Sequence, residues 1–329
     1  MMIKFFRGSG FGPIVLLVLV AAGLWAALFI SPPVVPRPSG ETVMPLWSLI
    51  LTSLGKAPLM AVIISMLLMF LLVIIMVRFN TSVFFISRRT YFPAFIYIIL
   101  YSLFPGNMVL NPALPAAILI MIGLWRMVSA YRQNGVAYNF FDAAMIISSA
   151  GLFYPDALWF ILFVLIGALL LRSPDIRELT VALFGAALPW ALFYAIWYLS
   201  GKDPGTLSQI IYNNLFDEVP SVYWSRTLII LLVLVALNFL PGLFALMSEM
   251  STKKVKSRKT FAMLLWMLTI SAGIYIVLPS VSVEVIAIAA IPVSYIIANY
   301  YAFTRRIILA EILFYGMFIM LVISRLWPY

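Results

Sequence analysis

Residues 57–90 read APLMAVIISMLLMFLLVIIMVRFNTSVFFISRRT, an apolar run without a charged side chain as far as Val77, then a polar gap holding Arg78, Arg88 and Arg89. About 20 apolar residues in helical geometry cross the hydrocarbon core of a bilayer, so 57–77 reads as a membrane span and the arginines as its flank. The same alternation runs from residue 12 almost to the end. Spans are expected near 12–31, 57–77, 92–104, 111–130, 140–154, 157–171, 178–199, 226–247, 260–279, 284–303 and 307–323, eleven in all. Those at 92–104 and 140–154 are short. Each pairs with its successor through a tight connection, Pro105-Gly106-Asn107 or Tyr154-Pro155-Asp156, as a full or a re-entrant hairpin.

Composition agrees with lipid as the main solvent. Of the 329 residues, 65% are hydrophobic and only 10% charged, with a mean hydropathy of +1.12, which leaves too little polar surface for a soluble domain of this size. The chain has no cysteine, which excludes disulfides, thiolate metal sites and cysteine nucleophiles. It has no histidine either, so acid–base chemistry is left to Asp, Glu, Lys, Tyr or Arg. A net charge of +10 in a soluble chain would suggest a nucleic-acid partner. Here the basic residues are scattered in short gaps beside apolar spans, so they read as lipid-facing topology signals and no nucleic-acid partner is expected. Lys4 and Arg7 before Pro13 to Ile30 have the layout of a secretory signal, but the run is long and Ser31-Pro32-Pro33 makes a poor cleavage site; an uncleaved first helix is expected.

Placing the N-terminus in the cytoplasm puts all of the 21 basic residues on the inner side except Arg37, Lys56, Lys202, Arg226 and Arg325. Losing one span in the middle would invert the bias downstream, whereas a re-entrant hairpin removes two spans and preserves it. The expectation is therefore one all-α transmembrane domain over 1–329, N-terminus in and C-terminus out, in a bacterial inner membrane. Two outer segments exceed turn length. Residues 32–56 begin SPPVVPRPSGE and continue into Met44 to Leu54, which with Trp47 suggests a short interfacial helix. Residues 200–225, SGKDPGTLSQIIYNNLFDEVPSVYWS, carry an Asp203-Pro204-Gly205 turn, then Ile210, Ile211, Leu215 and Phe216 at helical spacing.

Within 45–201, the stretches PLWSLILTSLGKAP, YFPAFIYIILYSLFPGNMVLNPALP, FDAAMIISSAGLFYPDALWF and ALPWALFYAIWYLSG follow one another in an order that resembles the membrane core of the GT-C glycosyltransferases. These are polyprenyl-phosphate-sugar-dependent enzymes related to protein mannosyltransferases. The layout is also similar to a group of uncharacterised bacterial envelope proteins. The resemblance implies a GT-C-like fold and an acidic base or metal ligand in the first outer loop, where this chain has Glu41 with Arg37 nearby. It implies a second carboxylate in the next outer turn, and this chain has Asn111 before Pro112. Where the third turn often holds a lysine for the lipid phosphate, Tyr154, Pro155 and Asp156 stand instead. The scaffold is thus expected with its acidic pattern altered.

Glu41 is the expected catalytic residue, accepting a proton from a hydroxyl acceptor while Arg37 holds a phosphate; the other reading is a solvated proline-rich loop. Asn111, Asp156, Lys202 and Arg226, all on the outer side, join Arg37 as expected ligand-binding positions. Asp156, just after Pro155, also suits a helix N-terminus electrostatically. Adjacent acids on a helix point about 100° apart, so Asp217 and Glu218 read as an acidic turn rather than a metal pair, and no metal is expected. Asp142 and Glu311 fall inside spans near the inner end, where Arg132 or Arg305 and Arg306 are candidate partners, with a proton or ion relay as the sharper reading. The run STKKVKSRKT at 251–260 reads as a topology determinant or a docking site for a partner or headgroup.

Three functions follow. The first is sugar transfer from a polyprenyl-phosphate carrier in cell-envelope biogenesis, with that lipid bound and no other cofactor. The second is a non-catalytic GT-C-like subunit of an envelope or secretion complex, and the third a lipid or small-solute transporter. Membrane lipids are partners in all three, and protein partners belong to the second.

Overall fold

Proline opens several of the helices, because its missing N–H falls where a helix has no carbonyl to offer: Pro58, Pro93, Pro155 and Pro204 all stand in first turns. In the computed structural model, which describes residues 6, 8, 10–33, 43–54, 57–131, 137–171, 176–218 and 226–326, the chain is all-helical. The helices are α1 (Phe11–Ile30), α2 (Pro45–Leu54), α3 (Pro58–Val83), α4 (Phe92–Tyr101), α5 (Ala113–Ser129), α6 (Ala137–Ala150), α7 (Ile161–Leu171), α8 (Ile176–Leu199), α9 (Pro204–Phe216), α10 (Arg226–Glu249), α11 (Val255–Val277), α12 (Ile286–Phe303) and α13 (Ile307–Leu326). Short helices at Pro105–Met108, Pro155–Phe160 and Val283–Val285 lead into α5, α7 and α12.

Among the described residues six helices are long and apolar enough to cross a membrane: Phe11–Ile30, Pro58–Val83, Ile176–Leu199, Leu228–Glu249, Val255–Val277 and Val283–Phe303. Of the other five expected spans, 92–104, 111–130, 157–171 and 307–323 coincide with shorter apolar helices, while 140–154 falls on α6, a 14-residue helix that is not among them. Their brevity has a packing counterpart. Every residue of α4 is buried, so protein rather than lipid surrounds it, and its length is not tied to bilayer thickness. It lies against α12 and α3, with the Tyr97 hydroxyl donating to the Ala287 carbonyl at 2.9 Å and Phe95 stacked on Phe314.

Helix boundaries depart from expectation on the basic side. α3 runs six residues past Val77, and the chain then wraps around Asn80, whose Nδ2 donates to the Arg88 carbonyl at 3.0 Å. Phe84 and Ser87 take left-handed φ values of 54° and 59° in that wrap. α11 starts at Val255 rather than near 260, so Lys256, Arg258 and Lys259 sit in its first turns. Pro189, Pro241 and Pro292 lie inside helices that continue past them.

The two ends of the bundle differ in chemistry. At one, Arg88 donates to the Ala302 carbonyl at 3.1 Å and Lys253 reaches Asn299 Oδ1 at 3.2 Å, both beside the Phe303 ring, while Lys259 donates to the Leu171 carbonyl at 3.3 Å. Phe6 belongs to this end, accepting at its carbonyl from Thr90 and packing on Phe92 and Phe95. At the other, α2 and α9 enter one apolar cluster: Met44, Trp47 and Leu51 with Val109, Leu110, Trp190, Ile210 and Ile211.

Candidate functional site

Beneath α2 and α9 lies a layer of buried polar side chains. The α4 helix ends at Tyr101, whose hydroxyl donates to the Asn107 carbonyl, and Asn107 Nδ2 donates onward to the Val283 carbonyl at 3.3 Å. Asn111 is 4% exposed and fully engaged. Its Oδ1 accepts from the Leu114 N–H at 3.1 Å, in the manner of a helix cap, and its Nδ2 donates to the Asn107 carbonyl at 2.9 Å and to Tyr101 Oη at 3.3 Å. Trp25 of α1 stacks on Tyr101 with ring centroids 6.3 Å apart.

Asp156 is 2% exposed, in the connection between α6 and α7. Its Oδ1 faces the Ser280 hydroxyl at 3.3 Å, and that hydroxyl also reaches the Leu215 carbonyl, in the last turn of α9, at 2.7 Å. Burial pushes the carboxyl up to about 6, against the hydrogen bonds that hold it down. The Tyr154 hydroxyl faces the same carboxyl without closing a hydrogen bond of good geometry, and Glu284 adds negative charge nearby. The turn 278–285 is thus the hub: Ser280 meets Asp156, Val283 meets Asn107, and Glu284 brings a negative charge near Tyr101 and Tyr154. Among the described residues, the buried Trp25 Nε1, Ser65 Oγ and Tyr154 hydroxyl around this layer have no hydrogen-bond partner.

The remaining expected site residues are dispersed. Lys202 is exposed, 4.3 Å above the Trp197 ring, on the rim of a shallow depression with Tyr198, Leu199, Gly201, Asp203 and Pro204. Gly201 ends α8 with φ at 74°, a backbone that glycine adopts without strain. Asp203 caps α9, accepting from the Thr206 N–H at 3.1 Å. Arg226 opens α10 and is exposed. Arg37 and Glu41 lie outside the described residues. So the fold brings Asn111 and Asp156 to one layer and leaves Lys202 and Arg226 on the surface. No group of three acidic side chains among the described residues is placed to hold a metal.

Asp142 takes Arg126 as its partner, Oδ2 accepting from Nη2 at 2.6 Å, rather than the partners expected from the sequence. The pair is about a third to a half exposed and contributes little to stability. Sequence reasoning missed a link between two quoted stretches. Trp190 of ALPW donates from Nε1 to Ser148 Oγ at 3.0 Å, and Ser148 donates to the Ala186 carbonyl at 2.6 Å, one residue past the Gly185 carbonyl that Pro189 leaves without its N–H. The signal was a serine and a tryptophan in otherwise apolar spans, 42 residues apart. Trp190→Phe is expected to cost about 1 kcal/mol, and Ser148→Ala more because it also removes the donor to Ala186, measured as the shift in thermal midpoint in detergent.

No curated protein and no solved structure, of a glycosyltransferase or of anything else, matches this chain. Residues 43–327 match the model of a family of unknown function, DUF6427, and the chain belongs to that family.

Proposed function

We propose that this is an eleven-span, multi-pass inner-membrane protein of cell-envelope biogenesis, N-terminus in, whose outer end handles a polyprenyl-phosphate-linked sugar beneath the roof formed by α2 and α9. The observation that carries the reading is the division of the bundle into an end where Arg88, Lys253 and Lys259 gather and an opposite end where two apolar helices cover a polar layer. The buried donors at Trp25, Ser65 and Tyr154, with Ser65 beside Tyr101 and Tyr154 beside Asp156, suit a hydroxyl-rich headgroup better than an anion, because Asp156 shares the layer. The phosphate of such a lipid belongs on the rim, where Lys202 and Arg226 are exposed. Glu41 is the proposed base and Arg37 its companion, as the GT-C resemblance implies.

Sidedness is tested directly because the chain has no cysteine. A membrane-impermeant maleimide on intact spheroplasts should label Lys202→Cys and leave Lys254→Cys unlabelled; the reverse pattern, or labelling of both, sinks the orientation. For the chemistry, mass spectrometry of the purified protein should find a polyprenyl phosphate. Glu41→Gln should lower sugar transfer by roughly 10²–10⁴ while the lipid is retained. Wild-type transfer from the variant ends the enzyme reading.

One observation favours a second reading, a non-catalytic subunit of a membrane complex. Asn111 and Asp156, at the positions where the GT-C pattern has functional groups, are both engaged in bonds within the fold. That reading predicts that Glu41→Gln is silent and that a stoichiometric protein partner co-purifies in mild detergent. Transport has less support: Asp142 is paired with Arg126 at the basic end, and α10 passes Asn238 and Pro241 without a break, with Asn238 bonded to the Tyr301 hydroxyl.

A further inference from the structure

Ser280 has a single hydroxyl hydrogen and faces two oxygen atoms that can accept it, the Leu215 carbonyl at 2.7 Å and Asp156 Oδ1 at 3.3 Å. It can satisfy only one at a time. The shorter contact puts the hydrogen on the Leu215 side, and then the Ser280–Asp156 contact is attractive only if the carboxyl supplies a hydrogen of its own. We propose that Asp156, Ser280 and the Leu215 carbonyl form a proton-operated latch that ties the last turn of α9 to the bundle. With Asp156 protonated, its O–H donates to Ser280 Oγ and the Ser280 hydrogen goes to Leu215. When Asp156 releases its proton to solvent, the carboxylate draws the Ser280 hydrogen to itself, and the Leu215 carbonyl loses its partner outside α9.

The location favours such a switch. Leu215 stands two residues before Asp217, the C-cap of α9, where helix carbonyls have no partner within the helix. The elements packed on the Asp156 turn bring no cation to it. Arg126 of α5 and Asp142 of α6 bond each other, Lys259 of α11 is tied to the Leu171 carbonyl at the far end, and α7 has no ionisable side chain. Tyr212 of α9 is 63% exposed, and the acids that flank that helix, Asp203 and Asp217, are exposed as well. Tyr154 is the ionisable group at close range, and it brings no positive charge; what its hydroxyl and Ser280 offer the carboxyl is hydrogen bonding, which burial outweighs. The folded chain therefore holds a proton on Asp156 over a pH range in which the unfolded chain has lost it. Stability falls as pH rises from the usual carboxylate value of 3.8 through about 6, and then levels. The latch is independent of sugar transfer. It makes α9 a cover held shut by acid and loosened by base.

The absence of cysteine allows one nitroxide on Tyr212→Cys, an exposed position in α9, in nanodiscs of phosphatidylethanolamine and phosphatidylglycerol. The mobile fraction of the spin-label spectrum is expected to rise several-fold between about pH 5 and about pH 8, spanning the carboxyl transition. Asp156→Asn, whose amide donates to Ser280 at any pH, should hold the label immobile throughout. Ser280→Ala should leave it mobile throughout. Elution volume and circular dichroism screen each variant for folding, and the wild-type titration stands by itself if a variant fails. A wild-type spectrum that does not change with pH overturns the latch. So does a pH response that persists in Asp156→Asn, or a label in Ser280→Ala as immobile as in the acid wild type.

Discussion

Gly185→Ala is expected to cost about 3 kcal/mol, the largest loss from any single methyl group added to this bundle. A Cβ at Gly185 would stand 2.4 Å from the Phe141 carbonyl oxygen and 3.0 Å from its Cα. The obstacle is backbone, so no side-chain rotation relieves it, and α6 and α8 would have to separate. Their approach depends on small residues at neighbouring positions, Ala182, Gly185 and Ala186 on α8 against Ala143, Ala144 and Ser148 on α6. Separation would also break the Ser148–Ala186 and Trp190–Ser148 bonds. Gly273→Ala is the control, since nothing lies within 4 Å of its added Cβ and alanine is the better helix former. Thermal midpoints in one detergent should drop by many degrees for the first and hold or rise for the second. Equal midpoints would mean that α6 and α8 do not pack this closely.

Asn111→Asp is expected to destabilise the protein more than Asn111→Ala does, although a carboxylate is what the resemblance to the GT-C enzymes implies at this turn. The reason is the direction of hydrogen bonding. Nδ2 of Asn111 donates to a carbonyl, Asn107 O, and to Tyr101 Oη, whose own hydrogen already goes to Asn107. An ionised oxygen at that place meets the Asn107 carbonyl and can gain a donor only by drawing the Tyr101 hydrogen away from that carbonyl, in a site 4% exposed. Leaving a charge buried and unpaired costs about 3–5 kcal/mol, against about 1–3 kcal/mol for the polar groups orphaned by alanine. Denaturation at neutral pH should rank the variants wild type, alanine, aspartate. Acid should narrow the last gap, because a protonated aspartate can donate where the amide did. An aspartate variant as stable as wild type would show that Asn111 is not held as described.

The helices themselves were legible in the sequence, because uninterrupted apolar runs of bilayer length have few alternatives. Asp156 after Pro155 and the Asp203-Pro204-Gly205 turn marked two boundaries, and the helical spacing of Ile210, Ile211, Leu215 and Phe216 marked α9. Boundaries on the basic side were misjudged for a physical reason. Lys256, Arg258 and Lys259 read as loop by charge, yet lysine and arginine are good helix formers and Lys259 has the Leu171 carbonyl to bond. Partner choice was not legible at all. Asp142 had several arginines within plausible reach, and only the hairpin of α5 and α6 selected Arg126.

Of the expected site, charge pattern marked Lys202 and Arg226 as flanks of apolar runs, and both are exposed. It could not distinguish a working Asp156 or Asn111 from a structural one, because that depends on what the side chains meet. Sequence by itself determined that the chain is helical, that it carries long apolar helices and that imidazole and thiol chemistry are absent, since all three follow from residue type and its spacing along the chain. The tertiary structure decided that the connections at 107–111, 154–156 and 280–284 share one buried layer, and that Ser280 stands between an acid and a helix end. Residues so distant in sequence share no periodicity, and only the packing of the helices puts their few polar atoms within reach of one another.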